Sequence, residues 1–83
     1  MLLVETNDYE SDQKFGHWLR DQRICAGFNL KQASLKLGIP LERLKALEMG
    51  YAIKGITRSE SEKVSAAYKI VLRDFLSRAS GNI

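Results

Sequence analysis

The sequence is poor in the residues that build disulfides, metal centres and membrane spans. One cysteine, Cys25, among 83 residues excludes an internal disulfide, and with one histidine, His17, no tetrahedral Cys/His zinc site can be assembled. No nucleophile or carboxylate pair stands in a fixed relation to His17, so no catalytic constellation is present and no cofactor is called for. No apolar run approaches the ~20 residues needed to span a bilayer. The opening "MLLVETNDYE" turns acidic after four residues instead of following the basic-then-apolar order of a secretion signal. These absences lead to the expectation of a soluble cytoplasmic protein with its thiol reduced, not an enzyme and not a membrane protein. Strand-like alternation is lacking beyond the first few residues, as are internal repeats and low-complexity tracts. One all-α domain is the expectation.

Charge of one sign is missing from one end. Residues 1–12 hold Glu5, Asp8, Glu10 and Asp12 and no base, although the whole chain carries 13 Lys/Arg against 10 Asp/Glu, a net +3. The remaining 71 residues therefore set 13 bases against 6 acids, or +7. That imbalance favours a polyanionic partner through counterion release. A solvated basic surface is the alternative.

What is present is a series of short amphipathic helices. Residues 1–10 read as a flexible tail or as an arm that pairs with another subunit. Helix one is expected over residues 11–26, with Phe15, Leu19 and Trp18 on one face and Gly27 as its stop. Asn29 supplies an N-cap for a second helix over 30–37, which Gly38 ends. Pro40 suits the first turn of a third helix reaching Met49, with Leu44, Leu47 and Glu48 inward and Gly50 closing it. Thr57 and Glu60 stand at capping-box spacing for a fourth helix running to about Lys69, with Val64, Ala67 and Tyr68 inward and "SESEK" as a solvated face. A fifth is expected over 72–79, and 80–83 form a frayed tail. Cys25 is expected to pack rather than react, and Trp18 to pack.

Ser34, Gly38 and Leu44 share the spacing of a helix-turn-helix. A small side chain is required where two helices cross, a positive φ redirects the chain at Gly38, and Leu44 anchors the second helix on the core. On these residues the stretch "FGHWLRDQRICAGFNLKQASLKLGIPLERLKALEMG" resembles the DNA-binding domain of the Cro/cI phage-repressor family, also called the XRE family, over residues 15–76. The resemblance implies a five-helix lambda-repressor-like domain, here residues 11–79. It also implies that Arg23 and Glu48 form a pair bridging helix one to the end of the recognition helix.

It further implies that the third helix enters the major groove, with Leu41, Glu42, Arg43 and Ala46, and Leu30 at the start of helix two, at the positions of base contact. Arg43 can fork onto guanine, Glu42 can accept from cytosine, and Leu41 can pack only on a thymine methyl. Phosphate contact is expected from Asn29 and the first N–H groups of helix two, with Lys31, Lys36, Lys45, Tyr51, Lys54 and Arg58 on or near that side. The expected function is a sequence-specific DNA-binding transcriptional regulator, a repressor acting as a homodimer on a short operator in double-stranded DNA. Ile70, Leu72, Phe75 and Leu76 offer the first candidate interface for that dimer, and the N-terminal "LLVE" the second. The rival is an adaptor or antitoxin-like protein with a degenerate helix-turn-helix, binding a protein partner through Leu41, Trp18 or the N-terminal arm.

Overall fold

The computed structural model describes residues 4–51 and 53–80; of residues 4–11 and 54, only the backbone is described. Expectations for the start of the arm, for the end of the C-terminal tail and for the Lys54 side chain lie outside the described residues. In chain order the elements are α1 (Val4–Cys25), α2 (Leu30–Leu37), α3 (Leu41–Glu48), a single 3-10 turn (Ile53–Gly55), α4 (Arg58–Tyr68) and α5 (Leu72–Ala79). Among the described residues there is no strand, and no helix is long and apolar enough to cross a membrane.

Helix α1 begins at Val4 rather than at residue 11. Residues 4–15 contain neither proline nor glycine, and acids in the first turns of a helix complement its dipole. Its end is where the glycine places it: Gly27 takes φ +89° and its N–H donates to the Ile24 carbonyl at 2.9 Å. Helix α2 starts on a capping box in which Asn29 Oδ1 accepts from Gln32 N at 2.7 Å and Gln32 Oε1 accepts from Asn29 N at 2.9 Å. The same device starts α4, between Thr57 and Glu60. Each box satisfies two backbone donors that a helix start would otherwise leave open. Lys69 ends α4 in the left-handed region at φ 59°.

Phe15 and Leu19 of α1, Ala33 and Leu37 of α2, Leu44 and Leu47 of α3, Val64 and Tyr68 of α4 and Phe75 of α5 meet in one core, joined by Ile39 and Ile53 from the connections. Phe15 and Phe75 meet edge to face at 5.3 Å, an arrangement the ring quadrupoles favour. Trp18 packs beside them, 5.6 Å from Phe15, under the Arg78 guanidinium at 4.7 Å. Phe75 and Ile70 thus serve the core, leaving Val71 and Leu76 as the exposed large apolar residues of the α5 region. Helix α1 crosses α3 and touches α4 and α5, while α2 packs on α3 and α4.

Candidate nucleic-acid interface

The turn between α2 and α3 is held by one serine. The Ser34 carbonyl accepts from Gly38 N at 2.9 Å and Ile39 N at 3.3 Å, and its hydroxyl donates to the Ile39 carbonyl at 2.6 Å. Size is therefore only part of what this position requires. Gly38, at φ +68°, redirects the chain. Pro40 sits just ahead of α3 as its cap residue, its carbonyl accepting from Leu44 N at 3.0 Å.

The far end of α3 is pinned to α1. Arg23 Nε donates to Glu48 Oε2 at 2.7 Å and Nη2 to Oε1 at 3.1 Å, while Nη1 reaches the Phe28 carbonyl at 2.9 Å. One buried guanidinium thereby ties α1, the end of α3 and the entry to α2. The hydrogen bond to Glu48 raises the Arg23 pKa further, against the opposing effect of burial. Two charges out of water are tolerable only in such a satisfied pair. Gly16 lets the helices come this close: a Cβ there would stand 2.5 Å from the Glu48 carbonyl oxygen. Tyr68, buried nearby, has its phenol pushed up to about 12 by loss of solvent, so it stays protonated.

With α3 fixed at both ends, its outward face carries Glu42, Lys45 and Met49, exposed, with Leu41 and Ala46 half-buried. Leu30 is half-buried at the start of α2, beside exposed Asn29 and Lys31. Because the capping box uses the amides of Asn29 and Gln32, the first-turn donors it leaves over are those of Leu30 and Lys31. Lys36 and Tyr51 are exposed. Arg58 is exposed and pairs along α4 with Glu62 at 3.1 Å, a contact of little energetic weight.

Arg43 does not point freely from this face. Its Nε and Nη2 donate to Glu60 of α4 at 3.0 and 2.9 Å, and Nη2 also reaches the Gly55 carbonyl at 3.0 Å. That fork raises the arginine's pKa and holds the Glu60 carboxyl below its ordinary value. Glu60 is accordingly not part of a solvated face, and neither is Ser61, which is buried with its hydroxyl on the Thr57 carbonyl at 3.0 Å. Cys25 is exposed, not packed: Arg23, two positions earlier, takes the inward direction.

Sequence reasoning also passed over part of α1. Gln13, His17 and Arg20 recur at helical spacing on one face and join Leu30, Lys45, Glu48, Met49 and Tyr51 around a groove of about 620 Å³. The i, i+4, i+7 pattern was the available signal. Neither protein-family models, nor curated proteins, nor solved structures give a match to this chain.

Proposed function

We propose that this chain is a helix-turn-helix DNA-binding protein of the Cro/cI type, acting as a transcriptional repressor and holding the duplex mainly through its phosphates. The observation that carries the reading is the α2–turn–α3 unit, closed by Ser34 and Gly38 and fixed to α1 by the buried Arg23–Glu48 fork. This leaves one face of α3 open beside the start of α2. Arg20, Lys31, Lys36 and Lys45 are exposed cations on or beside that unit. Phosphate contacts from such groups set register and affinity without reading sequence. Base reading is thinner, because Leu41 and Ala46 are apolar and Arg43 is engaged elsewhere. Two copies, one per half-site about 34 Å apart, would occlude a promoter.

The test is titration of fluorescent duplex DNA with the protein at several salt concentrations. Engagement of those four cations predicts a slope of log K against log salt of roughly −3 to −4. No binding to random or genomic fragments at low salt would reject the reading. The second reading, a protein-binding adaptor on the same scaffold, is favoured by one observation: the Arg43–Glu60 fork removes the best base reader from a face that otherwise offers Leu41, Ala46 and Met49.

A further inference from the structure

Arg43 occupies the first turn of α3, where a guanidinium can fork onto the O6 and N7 of guanine through two adjacent N–H groups. Here Nε and Nη2 are both committed to Glu60 and Nη2 also to the Gly55 carbonyl, so only Nη1 is left outside these bonds. The one remaining nitrogen, Nη1, can touch a phosphate but has no free neighbour with which to form the planar two-nitrogen fork on guanine. Nor can Glu60 follow the arginine outward. Its Oε1 also accepts from Thr57 N at 3.1 Å, while its own N–H donates to Thr57 Oγ1 at 3.0 Å, which fastens the carboxylate to the start of α4.

We infer that Glu60 is a specificity-determining residue, a latch that withholds Arg43 from base edges so that the protein binds duplex DNA without preference for guanine. The inference rests on the DNA-binding reading above. Guanine offers neutral acceptors, whereas Glu60 offers a charged one already in place, and charge-assisted hydrogen bonds are the stronger. The carboxylate therefore wins the competition for the guanidinium. Glu60 acts through Arg43 and is a positioning residue, not a DNA contact.

Glu60→Gln separates the latch from the cap, since glutamine serves equally at this position of a capping box but carries no charge to hold Arg43. The experiment measures affinity for a G·C-rich and an A·T-only duplex of equal length. The unmutated protein and Arg43→Ala are expected to bind the two alike. Glu60→Gln is expected to gain about tenfold on the G·C-rich duplex, the worth of one guanine fork, and only the small charge effect on the A·T duplex. In the Arg43→Ala/Glu60→Gln double variant that differential gain disappears. An equal gain on both duplexes, or one that survives in the double variant, overturns the latch and points to simple electrostatics. A measurement on the unmutated protein stands independently of any variant's folding. The Arg43 Nε–H resonance is expected to hold its position when either duplex is added to saturation, and a shift confined to the G·C-rich duplex would overturn the latch. Absence of binding by every protein to both duplexes overturns the DNA-binding reading, and the latch falls with it.

Discussion

Replacing Gly16 by alanine should destabilise this protein, although the same change inside most helices would stabilise it. In an exposed helix interior Gly→Ala gains about 0.5–1 kcal/mol by restricting the unfolded chain. At Gly16 the added Cβ would lie 2.5 Å from the Glu48 carbonyl oxygen, 2.9 Å from its carbon and 3.0 Å from Gly50 N. All three are backbone atoms, so no rotamer change relieves the contact. Such atoms settle at about 3.5 Å, which requires α1 and the end of α3 to separate by about 1 Å where Gly16 meets the Glu48 carbonyl. Overpacking of this kind costs about 1–3 kcal/mol and sometimes more, against the propensity gain. A net loss of about 1–2 kcal/mol lowers the Tm of a domain this size by roughly 5–15 °C. Thermal unfolding followed by circular dichroism measures it, with Gly55→Ala as the reference because nothing lies within 4 Å of a Cβ there. A Gly16→Ala protein melting at or above the parent temperature would refute the close approach of α1 to α3.

Arg23→Ala and Glu48→Ala should each cost about 3–5 kcal/mol, since each strands a buried charge. The double variant should lose less than their sum in denaturant titrations, and additive losses would show that the two are uncoupled. Gly38→Val should cost about 1–3 kcal/mol from backbone strain alone, as nothing lies within 4 Å of a Cβ there, whereas Gly38→Asn should be much milder because asparagine tolerates positive φ. Equal melting temperatures for those two variants would contradict the left-handed turn. Arg43 holds the Glu60 carboxyl below its usual value of 4.5, so the unfolded chain binds that proton more tightly than the folded one. The fork's contribution to stability is therefore present above about pH 4.5 and is lost as pH falls through the lowered folded-state value. The stability difference between the parent and Glu60→Gln should shrink over that acid range, and a constant difference would deny the ion pair a role.

Local chemistry was the legible part of this fold. Asn29, Thr57 with Glu60, Gly27 and Gly38 each act on backbone within a few positions, and each stands where its residue type predicts. Periodicity found Phe15, Leu19, Leu44 and Leu47 for the same reason. The early start of α1 escaped because turn formers and acids after an apolar opening read as a tail or arm, although an acidic start without a breaker also suits a helix. The partnership of Arg23 with Glu48 spans 25 positions and came from resemblance, not from pattern. Arg43 shows the deeper limit. Whether its guanidinium turns outward or toward α4 depends on Glu60, 17 positions away, whose capping role conceals a second use for the same carboxylate. Gly16 is similar, since nothing local reveals that the Glu48 carbonyl lies against it.

The most direct measurement of DNA engagement is the map of backbone amide shifts when a short random duplex is titrated into labelled protein at low salt. The predicted changes cluster at residues 29–32 and 41–49, with Arg20, Lys36 and Tyr51, and weaken together as salt is raised. Residues of α5 should stay still unless the protein dimerises on the duplex. Shifts centred on Arg73 and Arg78 instead, or none anywhere at saturating duplex, would contradict DNA binding through the helix-turn-helix face.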